Sequence, residues 1–515
     1  MSMKKTFLLK LLLLTTSALS LSGCSLLFRL VSNLTAKENI TTLSKADIEY
    51  TYRDYTKNSI YSIDSAPSTG DVKLLVIPVW FNDSNEYIST MTAKNRVISD
   101  IEKVYFGDES ETGWHSVSSY YKEESRGKLT LSGTVSNWYE CGRYSSYYYT
   151  DSRKTCELVE SAVEWYKMNY SISYMKQFDS DSNGFLDGVM LIYAAPDYAT
   201  MNNENASNMW AYCYWLQKDN ANVSNPTPNT FFWASYDFMY GPTSGVGKYR
   251  GGDTSYCSVD AHTYIHEMGH VFGLSDYYDY SGSYSPAGGF TMQDYNVGGH
   301  DPYSVMALGW TKPYIPSSSC QVELKPFQDS GEVILLTNKS VNSVFDEYLL
   351  LEYYTPTGLN EFDHKHQYQN KYPTGPSKSG IRLWHVDARL ISLYPNNEQG
   401  TVTITNKIEI NHGVTHLMTN TYYSEEAEGY ISPLGKDYAN YNLLQLIRNS
   451  KTETNKNSNL MDNRSLFTAS SSFSSSNMAK QFVKSGRFNS GSSIGWSFKV
   501  NKIETGRAVI TLKKG

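Results

Sequence analysis

Long apolar runs are nearly absent from this chain of 515 residues. Only residues 11–21 form one, and it falls short of the roughly 20 residues that a comfortable membrane span needs. A multi-pass membrane protein is therefore excluded. Cysteine is scarce, at six copies with no C-x-x-C pair. That argues against a disulfide-dense scaffold and against a cysteine-built zinc finger. Basic charge is also short: 45 Lys and Arg face 52 Asp and Glu, for a net charge of −7. Such a balance does not suit a nucleic-acid partner, whose phosphates call for a basic face. No internal repeat is evident, which excludes a solenoid. What the chain does have is tyrosine, 43 copies, within a hydrophobic content of 40%. That composition belongs to a folded protein, and the length allows two or three domains with their own cores.

The N-terminus reads as an export signal, with Lys4, Lys5 and Lys10 ahead of the apolar run. Leu21-Ser22-Gly23-Cys24 resembles the bacterial lipobox, in which cleavage leaves Cys24 as the lipidated first residue. A simple cleaved signal is the alternative. Lipidation would hold the protein on the outer side of the bacterial membrane, each buried methylene contributing ~0.8 kcal/mol. Removing residues 1–23 takes away three lysines and no acid, so the net charge moves from −7 to −10. Five cysteines then remain, an odd number. Cys141 with Cys156 and Cys213 with Cys257 are the loop closures that geometry permits.

The most informative stretch is His266-Glu267-Met268-Gly269-His270. Residues four apart share one face of a helix, so both imidazoles can reach one metal ion at roughly 2.0–2.1 Å. Glu267 is rotated to the side, where it can hold a water at the metal instead of the metal itself. Ala261, Ile265, Met268 and Phe272 form a separate apolar stripe for the core. Gly273 ends the helix, because glycine enters the left-handed conformation without steric cost. A turn there can bring Asp276 back as a third ligand, which makes an open tetrahedral zinc site. Against this stand blander readings: a solvated His/Glu face, Asp276 as a turn cap or calcium ligand, and Asp279 as the third ligand. His262, one turn earlier, reads as a packing or supporting residue.

The run H-E-x-x-H-x-x-G-x-x-D followed by Tyr277-Tyr278-Asp279 resembles the secreted metallopeptidases of the immune inhibitor A type, which are zincins related to the metzincins. Trp114-His115-Ser116-Val117-Ser118-Ser119-Tyr120-Tyr121 and Ser125-Arg126-Gly127-Lys128-Leu129 are similar to the segment such enzymes place before the zinc helix. Gly289-Phe290-Thr291-Met292-Gln293-Asp294-Tyr295-Asn296 is similar to their methionine turn, and Asp301-Pro302-Tyr303-Ser304 continues the match. Glu347-Tyr348-Leu349-Leu350-Leu351-Glu352-Tyr353 and Gly380-Ile381-Arg382-Leu383-Trp384-His385-Val386-Asp387 fit as well, so the resemblance covers residues 70–400. It implies a catalytic zinc held by His266, His270 and Asp276, with Met292 as an apolar floor. In metzincins the tyrosine often stands two residues after that methionine, whereas Tyr295 is three after Met292.

The remaining signals give an α+β fold: a zincin-type catalytic domain at 71–312 followed by a β-rich domain at 313–515. The first domain holds a twisted mixed sheet with backing helices and the zinc helix. Residues 24–70 read as a tether. The apolar run 72–80, interrupted by Pro78, suits a buried strand; helices follow around Val97–Tyr105 and Leu158–Tyr166, and strands at 128–132 and 189–194. Asp179, Asp181, Asn183 and Asp187, with Gly184 at the turn, form the front half of an EF-hand-like calcium loop; Met190 stands where the bidentate Glu would be. An ordinary Asx-rich turn is the rival. Beyond Trp310, alternating runs at 321–324, 333–337, 348–353, 381–386 and 401–410 predict strands, and 496–503 with 508–513 a closing hairpin. The serine-rich stretch 450–480 reads as a mobile loop.

These signals point to a lipid-anchored extracellular zinc endopeptidase. Glu267 would serve as general base, and Tyr295 and His300 are the candidate oxyanion donors. His385 reads as structural. The rival class is an inactive scaffold that binds protein or glycan at the cell surface.

Overall fold

Strand β1 (Gly70–Trp80) shows how the sequence dictates the first layer. Its apolar run is buried on both faces: Val72, Leu74 and Val76 enter one apolar cluster, Leu75, Ile77 and Val79 another. In a computed structural model describing residues 39–48, 52–56, 64–241, 258–280, 282–341, 343–393, 402–406, 414–420 and 441–515, β1 lies inside a six-stranded mixed sheet. The other members are β2 (Leu129–Val135), β3 (Tyr139–Glu140), β4 (Val189–Tyr193), β5 (Tyr212–Trp215) and β6 (Thr230–Ser235). The order is β2-β1-β4-β6-β5, with β3 also beside β1. All pairs are parallel except β5 with β6. Pro78 does not break β1. It falls where the partner changes from β2, paired up to Val76, to β3, paired from Val79. The missing N–H therefore interrupts no ladder on that side.

Helices cover both faces, as continuous strand hydrophobicity requires. On one face lie α1 (Met91–Phe106), α2 (Val117–Glu124) and the later helix α4 (His262–Val271); on the other lies α3 (Ser152–Asn169). Val97, Ile101, Tyr120, Ile265 and Met268 join the first cluster; Leu158, Val159 and Tyr166 join the second. Two short helices follow, α5 (Met292–Tyr295) and α6 (Pro302–Ala307).

The chain then turns to β structure. Strands β7 (Cys320–Leu324), β8 (Val333–Leu336), β9 (Glu347–Tyr354), β10 (Gly380–Asp387), β11 (Leu390–Leu393), β12 (Val402–Thr405), β13 (Val414–Leu417), β14 (Leu444–Ile447), β15 (Ser472–Ser474), β16 (Trp496–Glu504) and β17 (Arg507–Lys514) make three antiparallel sheets. These run β14-β10-β9-β8, β12-β11-β13 and β15-β16-β17-β7. The closing hairpin turns at Gly506, whose φ of +83° suits glycine. A short helix, α7 (Glu361–Lys365), lies between β9 and β10. The protein is thus mixed α/β with a β-rich C-terminal region, and one apolar cluster runs from Tyr52 to Leu466.

Three expectations are corrected. The stretch 450–480 is folded rather than loose: Phe467 bridges Ile381, and Ser472-Phe473-Ser474 pairs with β16 while burying Phe473. Single phenylalanines spaced among serines satisfy strand periodicity, which composition alone conceals. The later part of the expected tether is docked: Tyr52 is fully buried, and Trp310 Nε1 donates to Ser68 O at 2.6 Å. Its tyrosines bring apolar area that burial rewards. Cys141 and Cys156 are unbonded, as are Cys213 and Cys320. Cys24, Cys257 and residues 407–410 lie outside the described residues.

Candidate metal centre

Helix α4 is defined at both ends by side chains and glycine. Asp260 Oδ1 accepts the His262 N–H at 3.0 Å, satisfying a donor of the first turn. At the far end Gly273, φ +98°, donates to His270 O at 2.8 Å and Leu274 N–H donates to Gly269 O at 3.0 Å. This pair of bonds is the Schellman arrangement. It reverses the chain so that Asp276 returns to the two histidines. His266 Nε2 and His270 Nε2 lie 3.0 and 3.2 Å from Asp276 Oδ1, and 3.2 Å from each other. Inside the helix Gly269 matters for a different reason. A Cβ there would lie 2.2 Å from the side-chain amide oxygen of the buried Gln293, so any larger residue requires that amide to move.

The hydrogen bonds of the two rings decide what the cluster can hold. His266 Nδ1 lies 2.7 Å from Met292 O, and His270 Nδ1 lies 2.7 Å from Leu274 O. A carbonyl only accepts, so each Nδ1 carries a proton, and each ring in its neutral form directs an Nε2 lone pair inward. Two lone pairs and a carboxylate oxygen then face one point, which is unfavourable unless a cation sits there. Two imidazoles and one carboxylate are a donor set that could hold a zinc ion, and the outer hydrogen bonds orient both rings. Burial, the largest influence, opposes charge on His270, yet Asp276 and Glu267 outweigh it and push the group up to about 9. Burial likewise opposes ionisation of Asp276, but the two imidazoles hold its carboxyl far below the usual range. The cluster calls for positive charge, and the residues present fit zinc.

Glu267 is buried beside the cluster, with Oε2 lacking a hydrogen-bond partner. Burial raises its carboxyl, while His270, His266 and the backbone N–H of Cys213 act against the rise. Cys213 belongs to β5, so the antiparallel end strand of the sheet runs past this carboxylate. Asp276 has further support. Tyr280 Oη donates to its Oδ2 at 2.6 Å, and the Tyr278 hydroxyl also bonds it. Asp279, the rival ligand, instead accepts Ser283 N–H at 2.9 Å and shapes the following loop.

A cavity of about 200 Å³ opens beside His266 and Glu267. Tyr278 and Tyr295 line it, their rings 6.3 Å apart. Met292 is buried, and its visible contribution is the carbonyl that orients His266. His300 is not in this lining. Its ring is fully buried near Tyr120, Tyr121 and Trp310, with neither nitrogen hydrogen-bonded. Burial first, then His266 and His270, lower it to about 3, so it is a neutral core ring and not a donor to the cavity.

Asp179 and Asp187 form the hydrogen bonds of a turn, and Asp181 an ion pair. Among the described residues two sets of three His, Cys, Asp or Glu donors meet, and neither includes them. Asp179 accepts Asn183 N–H and Gly184 N–H, Asp187 accepts Ser180 N–H, and Asp181 pairs with Arg53. Asn183 Oδ1 accepts Phe185 N–H. These are the bonds of an Asx-rich turn. The second donor set is Glu109, His115 and Glu123, whose carboxylates are exposed. His385 is structural: its Nε2 lies 3.0 Å from Glu347 Oε1, between Phe482 and Phe488.

The sequence reading did not single out Tyr278, Tyr280 or Asp363. The first two stand close after Asp276 and carried a local signal. Asp363 carried none, lying 101 residues from its partner His262. No protein-family model and no curated protein sequence matches this chain.

Proposed function

We propose that this protein is a zinc-dependent endopeptidase of the zincin kind, similar to the immune inhibitor A-type metallopeptidases. It would hydrolyse extracellular protein or peptide substrates while held on the bacterial surface through Cys24. One observation carries the reading: the two Nε2 lone pairs and Asp276 Oδ1 converge beside a buried Glu267 whose Oε2 is unpartnered. The motif resemblance and the mixed sheet are consistent with it. Among the described residues no helix is long and apolar enough to cross a membrane, so anchoring rests on the lipobox.

Zinc, when bound, supplies Lewis acidity that polarises a carbonyl and acidifies water. His266, His270 and Asp276 would hold it, with the Met292 and Leu274 carbonyls fixing the ring orientations. Glu267 accepts the proton of the attacking water and returns it to the departing amine. The end strand β5 offers backbone groups with which an extended substrate can pair, as peptides do when they add to a sheet. Tyr278 and Tyr295, which line the cavity with His266 and Glu267, would offer hydroxyls to the developing oxyanion.

The test combines elemental analysis with hydrolysis of casein and fluorogenic peptides, with and without a chelator. Stoichiometric zinc and chelator-sensitive cleavage are expected. Metal-free protein that stays inert when supplied with zinc refutes the assignment.

A further inference from the structure

The lining of the cavity contains residues remote from the zinc motif. Tyr368, Gln369 and Tyr372 reach it from the connection between β9 and β10, in the C-terminal half. Tyr368 and Tyr372 stack at 5.0 Å, and Tyr372 lies 6.0 Å from Tyr295. Gln369 and Asn370 both adopt left-handed backbone, φ 48° and 54°. Such conformations cost on the order of 1–3 kcal/mol each in a non-glycine residue and persist only where the surroundings dictate them.

The surroundings here are specific. Asp363 Oδ1 lies 2.8 Å from His262 Nε2, and its Oδ2 accepts Gly298 N–H at 2.6 Å. The other ring nitrogen of His262 lies 3.0 Å from Asp260 Oδ1. The His262 ring is sandwiched between Trp114 at 4.0 Å and Tyr368 at 4.2 Å. Tyr368 Oη meets Thr263 Oγ1 at 3.1 Å and accepts from Gln369 Nε2 at 3.0 Å. The first turn of α4 therefore grips the connection through a buried acid–imidazole–acid triad.

The chemistry of the lining selects among side chains. Trp210, Phe238, Tyr278 and Tyr295 complete an aromatic wall, and no Lys or Arg is present. The imidazole and carboxyl groups are His266, Glu267 and Asp294. An acidic side chain would meet two carboxyls. A basic one would find Glu267 committed to proton transfer. Burial holds the Asp294 carboxyl up at about 8, hence uncharged at neutrality, with Oδ2 taken by Gly289 N–H at 2.6 Å and Oδ1 unpartnered.

We propose that the 358–372 connection is the specificity wall of the site, accepting one large uncharged side chain, aromatic first, next to the scissile bond, with His262 and Asp363 as its positioning residues. This rests on the peptidase reading. The test is cleavage-site profiling of a peptide library by the zinc-loaded full chain, its Tyr372→Ala variant and its His262→Gln variant. The unaltered protein should cut beside Phe, Tyr or Trp. In both variants the preference for a Phe peptide over its Ala counterpart should fall about tenfold or more, through KM, with zinc content retained; one methylene more or less in an apolar pocket is worth roughly 10–200-fold. Enrichment of Lys, Arg, Asp or Glu overturns the proposal, and so does an equal loss on every peptide. If His262→Gln fails to fold, Tyr372→Ala alone decides. Should no peptide be cut, the peptidase reading fails and the wall is judged by binding of N-acetyl-phenylalaninamide, followed by tryptophan fluorescence. Binding at least tenfold weaker in Tyr372→Ala upholds it, and equal binding overturns it.

Discussion

Arg382 Nη1 donates to the carbonyl oxygen of Phe290 at 3.1 Å, tying strand β10 to the segment that carries Met292. The guanidinium is 1% exposed, pairs with Glu352 at 2.8 Å and lies over the rings of Tyr354 and Trp384. Since Met292 O in turn orients His266, the C-terminal sheet braces the metal centre through two links. Replacing Arg382 by Met should leave Glu352 buried without its partner. Breaking a buried pair in this way costs about 3–5 kcal/mol. Urea unfolding monitored by tryptophan fluorescence would measure it, and a loss under 1 kcal/mol would contradict the bracing role.

Glu267→Ala should keep the fold and the metal while lowering peptide hydrolysis by roughly 10²–10⁴-fold, the usual worth of a general base. Asp276→Ala should lower zinc content instead. Metal analysis beside kcat separates the two variants; a fully active Glu267→Ala protein would remove this residue from the chemistry.

Chelation should lower the melting temperature, because an ion that binds only the folded chain stabilises it by about 2.7 kcal/mol at a free concentration of 100 Kd. Calorimetry with and without a chelator, then after zinc return, gives the answer. An unmoved transition would mean that His266, His270 and Asp276 hold no ion.

The buried His262 gives an alkaline signature. Burial, the largest influence, disfavours its cation, but Asp363 and Asp260 prevail and push it up to about 10. A folded-state value above the ordinary 6.5 means the stabilisation is full below 6.5, declines as pH rises beyond it and is gone above about 10. Melting temperatures between pH 7 and 11 should fall more steeply for the unaltered protein than for His262→Gln. Parallel curves would show that the imidazolium adds nothing.

Gly269→Ala should disturb the packing of α5 on α4, since the added methyl overlaps Gln293. Overpacking of this sort costs typically 1–3 kcal/mol. Displacing α5 also shifts Met292 O away from His266, so zinc affinity should weaken along with stability. Equilibrium dialysis against a zinc indicator would report it.

Local pattern explains how much of this could be anticipated. The motif helix, its glycine stop and the return of Asp276 follow from helical spacing and from glycine's conformational range, both short-range effects. The strands of the C-terminal half were legible because half-buried strands alternate. The folded 450–480 stretch was not, since Phe467 and Phe473 are outnumbered by serine and asparagine. The strand across Pro78 was legible, but the reason it tolerates proline was not: that depends on a change of partner strand 50–60 residues away.

His300 marks the limit from the other side. Its type and position near Met292 suggested a donor, but the tertiary packing turns its ring into the core beside Trp310. That His300 packs and does not join the donor cluster is set by neighbours from α2 and the segment after α6, not by its own surroundings in the chain.

Helix register, the chain reversal at Gly273 and the meeting of His266, His270 and Asp276 were written in the order of amino acids, because each depends on contacts within a dozen residues. The triad of Asp260, His262 and Asp363, the tyrosine wall and the Arg382 brace arose only on folding. They join groups about a hundred residues apart, and no local periodicity encodes which distant side chain will arrive.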